Sequence, residues 1–155
     1  MNRFSLGHRY ALVAVAALVL GACKELVDEE QKGFFVLENQ SGHDVVLTVF
    51  STQQRSKLPL TLALTNGKSV ERTVLGGAGA IAYPELFFQG DSVRFLFNDG
   101  KQLLHYCPQS QQLSGRCVPQ THNILSLSQY AVDPISKSSS KFTYTLNSSD
   151  YAAAR

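Results

Sequence analysis

The chain has 155 residues, 44% of them hydrophobic and 17% charged, with a formal net charge of +2. This excludes a disordered chain, which needs low hydrophobicity and high net charge, and the length holds one domain comfortably. Arg3 and Arg9 carry the whole +2, because residues 1–22 hold no acid and the remainder sets 12 bases against 12 acids; a neutral remainder has no electrostatic footprint for nucleic acid.

Residues 1–10 are short and positive, residues 11–20 are wholly apolar, and the small Gly21 and Ala22 precede Cys23. A charged start, an apolar run of about ten and small residues at the cut describe a secretory signal peptide over residues 1–22. The run is too short for a transmembrane helix, which needs about 20 such residues. Leu20-Gly21-Ala22-Cys23 resembles the lipobox of bacterial lipoproteins at every position. That resemblance implies cleavage before Cys23 and acyl chains on Cys23, so that the lipid is the contact with the membrane. Inner-membrane lipoproteins carry aspartate where this chain has Lys24, so the resemblance further implies the cell outer membrane.

Residues 23–32 read as a lipidated acidic tether, with one base and four acids between Lys24 and Glu30. The stretch either resembles a surface-export signal of some Gram-negative bacteria or is a solvated linker that like charges keep extended.

Residues 33–155 read as a single β-sandwich domain. Leu58, Leu60, Leu62 and Leu64 alternate with Pro59, Thr61, Ala63 and Thr65, and similar period-2 rows run through Val93–Phe97 and Phe142–Leu146. Each row puts one apolar face inward on a pleated strand. Phe34–Glu38 and Val45–Phe50 are apolar on both faces and suit central strands. Strands are expected at about 33–39, 43–53, 58–65, 68–75, 91–98, 101–107 and 140–147. Ser41-Gly42, Asn66-Gly67 and Asp99-Gly100 separate consecutive strands and read as hairpin turns. Pro59 points to an edge for the third strand, since proline cannot donate to a ladder. Residues 108–139 are polar, with a core around Ile124 and Leu125 that fits a helical turn or a short strand. Ser148-Ser149-Asp150 before Tyr151 reads as the cap of a short C-terminal helical turn. The expected fold is therefore an all-β antiparallel sandwich of about seven strands, with an open barrel as the alternative.

The strand Lys141-Phe142-Thr143-Tyr144-Thr145-Leu146, the following Ser149-Asp150-Tyr151, the strand start Asp91-Ser92-Val93 and the loop from Tyr106-Cys107 resemble a group of small uncharacterised bacterial lipoproteins. The likeness spans most of residues 33–151 and implies an exported all-β domain, but no activity.

With Cys23 used for lipid, Cys107 and Cys117 remain as an even pair in an exported chain, which predicts a disulfide. The rival is a zinc site made of His105, Cys107, Cys117 and His122, whose spacing fits no known zinc pattern. No Gly-x-Ser-x-Gly elbow occurs, and His43 and Asp44 are adjacent, which on a strand sends them to opposite faces. Tyr83, Phe87 and Phe88 flank Pro84 in an irregular stretch and form a candidate binding surface; the bland reading is that they cover one end of the core. The sequence thus leads to a non-catalytic binding or interaction module with no cofactor, no metal site and an envelope protein or glycan as partner. The alternatives are an accessory subunit of an outer-membrane assembly and an envelope hydrolase.

Overall fold

The computed structural model describes residues 30–51, 60–78, 84, 88–112 and 114–155. The expected signal peptide, Cys23, Tyr83 and Phe87 lie outside the described residues. Eight strands form two four-stranded sheets. Sheet A runs in the order β4 (Ser69–Ala78), β1 (Glu30–Gln40), β8 (Ser139–Asn147), β7 (Ala131–Ser136). Sheet B runs β3 (Leu60–Leu64), β2 (Val45–Phe50), β5 (Ser92–Phe97), β6 (Gln102–Tyr106). The all-β sandwich read from the alternation is the observed fold, and all seven expected strands are present. The first begins at Glu30, so it takes in the last residues assigned to the tether.

The two doubly apolar segments became β1 and β2, each with a strand on both sides, and β3 lies at an edge as Pro59 suggested. Phe35, Leu37, Phe142, Tyr144 and Leu146 face inward from sheet A. They meet Val45, Leu47, Val49, Val93, Phe95 and Phe97 from sheet B. Phe35 stacks on Phe142 at 4.8 Å and takes Tyr130 edge-on at 5.6 Å. Ile124, Leu125, Cys107 and Cys117, from the connection between β6 and β7, complete the same core.

Two of the three expected hairpins are something else. Asp99-Gly100 joins β5 to β6 within sheet B, with Gly100 at φ +92°, a conformation that a side chain disfavours. Ser41-Gly42 and Asn66-Gly67 instead carry the chain from one sheet to the other, β1 to β2 and β3 to β4. A tight turn reverses the chain, but the choice of pairing partner belongs to the faces the strands bury. The two corners are fastened together by Asn39, which is fully buried. Its Nδ2 donates to the carbonyls of His43 (2.8 Å) and Leu64 (2.9 Å), and its Oδ1 accepts from Ser41 Oγ at 2.7 Å.

The pairing is antiparallel except between β1 and β8, which run parallel from Lys32↔Ser139 to Gln40↔Asn147. The eighth strand, β7, falls in the stretch read as polar. All six of its residues are exposed, so it carries no inside–outside period to read. The helical turn in the same stretch is a 3-10 turn over Leu127–Gln129, preceded by a short helix α1 (Gln109–Gln112). The C-terminal helix α2 (Ser148–Ala153) starts at Ser148, the first residue of the expected cap, so the cap lies one residue earlier than expected. Asn147 is the N-cap, and Asp150 returns a bond to its backbone N–H in a capping box. Tyr151 fixes α2 to the molecule: its ring stacks on His43 at 3.8 Å, and its hydroxyl donates to Asp99 Oδ2 at 2.6 Å. That hydrogen bond holds the exposed Asp99 carboxyl below its ordinary pKa.

Candidate functional site: an apolar sheet face and a His–Asp cluster

The alternation that fills the core also fixes what sheet B turns outward. Val46, Thr48 and Phe50 of β2 register with Leu96, Arg94 and Ser92 of β5. These in turn register with Gln102, Leu104 and Tyr106 of β6. Tyr106 bridges onward to Val118. The face therefore mixes polar groups with large exposed apolar ones where a solvated sheet face is usually polar: Leu104 is 58% exposed, Val118 62%, Tyr106 38% and Phe50 36%. Arg94 is the only charge at the outward positions of β2, β5 and β6. Its guanidinium carbon lies 5.4 Å from the centre of the Phe50 ring. Its Nε is buried and has no hydrogen-bond partner among the described residues.

Phe50 is held at its end of β2 by a close approach. A Cβ on Gly90 would stand 2.3 Å from the Phe50 carbonyl oxygen, so only glycine lets the chain pass there on its way into β5. The next residue, Asp91, donates its N–H to that same carbonyl at 3.0 Å. At the opposite end, Val46, Ala63 and Leu96 line a shallow open groove of about 440 Å³ bordered by Asp44 and Asn98.

The residues singled out from the sequence fall elsewhere. Cys107 and Cys117 form the expected disulfide, with both residues fully buried. The zinc set is taken apart: the two sulfurs bind each other, and His105 Nδ1 accepts the Ile124 N–H at 3.1 Å. No group of three metal-binding side chains exists among the described residues. Phe88, a candidate for a binding surface, is 2% exposed and belongs to the core, as the alternative reading had it. Its ring borders an apolar cavity of about 110 Å³ between β3 and β4, which Leu47, Val49 and Leu62 also line. Burying a large aromatic area outweighs displaying it here. His43 and Asp44 do diverge: His43 lies on Tyr151, and Asp44 Oδ1 accepts the Asn66 N–H at 2.9 Å.

A cluster that sequence reading missed joins the β6–β7 connection to α2. His122 Nδ1 meets Asp150 Oδ1 at 2.5 Å, and Tyr144 donates its hydroxyl to the His122 carbonyl at 3.1 Å. Asp150 and Tyr144 are buried, whereas the His122 side chain is 34% exposed. Burial, with the Asp150 charge adding to it, pushes the Tyr144 phenol far above its ordinary pKa, so it stays a donor. Asn147 Oδ1 accepts from the Ser149 and Asp150 N–H groups, which leaves its Nδ2 to face His122 Nε2 at 3.4 Å. The network assigns the proton of a neutral His122 to Nδ1 and leaves Nε2 as acceptor. His122 and Asp150 stand 28 residues apart, a spacing that gave no signal. The only legible hint was Asp150 at the third position of a cap, where a carboxylate turns back toward the chain.

The chain matches no known family model, no curated protein and no solved structure.

Proposed function

We propose that this chain is an outer-membrane lipoprotein, acylated at Cys23, whose sandwich is a non-catalytic interaction module. The supporting observation is the outer face of sheet B, where exposed Leu104, Val118, Tyr106 and Phe50 surround one arginine. Contiguous exposed apolar surface rimmed by polar groups marks interaction sites on soluble domains. Aromatic residues and arginine are enriched in interfaces, while lysine and carboxylates are depleted. The lipid address is tested by Cys23→Ser, which shifts the chain from the membrane to the soluble fraction; unchanged membrane association removes the lipoprotein reading. The module is tested with a photoreactive benzoylphenylalanine replacing Leu104, with the same probe at Thr143 on the outer face of sheet A as control. A discrete adduct from position 104 alone is expected, and its absence removes the reading. Fixed stoichiometry in that adduct assigns the chain as an accessory subunit of an assembly.

The hydrolase reading draws support from one observation, the His122–Asp150 pair, which orients an imidazole as a general base requires. Against it, His122 is hydrogen-bonded to no serine or threonine hydroxyl among the described residues, and Nε2 faces the Asn147 amide. Ester hydrolysis abolished by His122→Ala is the result that would favour it.

A further inference from the structure

We propose that the outer face of sheet B docks a protein partner that seats a carboxylate on Arg94. The inference rests on the interaction-module reading and names the chemistry of the partner.

The two outer faces of the sandwich differ in kind. Sheet A turns out Lys32, Glu38, Glu71 and Lys141, with threonines and with Phe34, Val36 and Leu75 among them, so charges of both signs cross that face. Sheet B turns out Val46, Phe50, Leu96, Leu104 and Tyr106 with the uncharged Thr48, Ser92 and Gln102, around a single cation. A guanidinium has five N–H donors and no acceptor, and it matches a carboxylate in a planar fork. No carboxylate among the described residues pairs with Arg94, and with its Nε shielded from water the terminal amino groups are the part of the fork that an incoming acid can meet, end-on. The Phe50 ring beneath it answers the positive charge but takes no hydrogen bond from Nε–H in the plane of the fork. An incoming acid is what the site lacks. Covering the surrounding Leu104 and Tyr106 would dry the contact and strengthen it.

The shape of the surface selects the source of the acid. Small ligands are held in enclosed pockets that bury most of their area, whereas Arg94 lies in the middle of an open sheet face. A second copy of this chain is the wrong occupant. A two-fold axis near the centre of the face would set one Arg94 against the other, with no acid at the outward positions of β2, β5 and β6 to separate them.

The test uses the full chain with the photoprobe at Leu104, in the cells that make it, with Arg94 unchanged or replaced by Glu, Gln or Lys. An unchanged melting temperature certifies the fold of each variant. Arg94→Glu is expected to lower adduct yield by about tenfold or more, and Arg94→Lys to keep more of it than Arg94→Gln. Changing the partner carboxylate mapped beside the cross-link to lysine is expected to restore the adduct with Arg94→Glu. An adduct that survives Arg94→Glu overturns the carboxylate pairing and leaves the interaction module standing. An adduct made only of two copies of this chain overturns it as well. No adduct with Arg94 in place overturns both readings.

Discussion

His105 occupies the inner face of β6, where Phe95 meets its ring edge at 4.9 Å and the Ile124 N–H binds its Nδ1. Burial, with the His122 ring adding to it, pushes its pKa down to about 3 from the ordinary 6.5. The imidazole is therefore neutral in the fold, with its proton on Nε2. Between those two pH values the unfolded chain binds a proton that the folded chain refuses. The stability contributed is complete above pH 6.5 and is lost as pH falls toward 3. The loss runs at about 1.4 kcal/mol per unit, or roughly 2 kcal/mol by pH 5. Urea denaturation at pH 7 and pH 5 measures it. His105→Phe should be less stable at pH 7, having lost the acceptor for Ile124, yet should show a shallower fall toward pH 5. An equally steep fall would assign the acid sensitivity to other groups. Asn39 answers to a different rule, since its amide satisfies backbone groups on two corners at once. Asn39→Ala strands those groups in the interior and should cost about 3 kcal/mol, read as a shift in the denaturation midpoint.

The β6–β7 connection shows how an element without regular structure can belong to the core. The disulfide joins residues ten positions apart, and Asn123, fully buried, donates its amide to the carbonyls of Tyr106 and Val118. The staple leaves Ile124 and Leu125 placed beside the two sheets. Replacing both cysteines by alanine should remove about 3 kcal/mol of stability in the chain-entropy account of cross-links. Native protein should also offer no alkylatable thiol at positions 107 and 117. Compartment chemistry made the disulfide readable in advance, as alternation, doubly apolar runs and turn signals did for seven strands. What alternation could not reveal was destination. Gly42 and Gly67 announce sharp turns, but neither says whether the next strand returns to the same sheet, because that choice is settled by packing far along the chain. β7 stayed hidden because an edge strand exposed on all six residues carries no period. The outer face of sheet B was written in the same rows as the core: Phe50, Leu104 and Tyr106 read as further apolar residues until the register set them around Arg94.

At the scale of the molecule, the sandwich is asymmetric in its surfaces and in its edges. One outer face carries charges of both signs, the other a single cation among exposed Phe50, Leu104 and Tyr106. The β6 edge is capped at both ends. Gln102 exchanges two backbone hydrogen bonds with Arg155, and Tyr106 exchanges two with Val118. Capping of this kind blunts an edge against pairing with another chain, and Pro134 does similar service on β7. The parallel pairing of β1 with β8 has a consequence of another sort. The strands lie side by side and point the same way, so a pull on the start of β1 against the end of β8 slides one along the other. The hydrogen bonds between Lys32–Gln40 and Ser139–Asn147 then bear the tension together and must rupture together. Tension applied across the open end of the β7–β8 hairpin, through Ala131 and Thr143, would part its bonds one after another. Single-molecule pulling should therefore give a distinctly higher rupture force from terminal handles than from handles at 131 and 143. Equal forces in the two directions would deny β1 and β8 the role of a shear clamp. With such a clamp, a domain held at its N-terminal side would resist being drawn out by its C-terminus far better than its thermodynamic stability alone suggests.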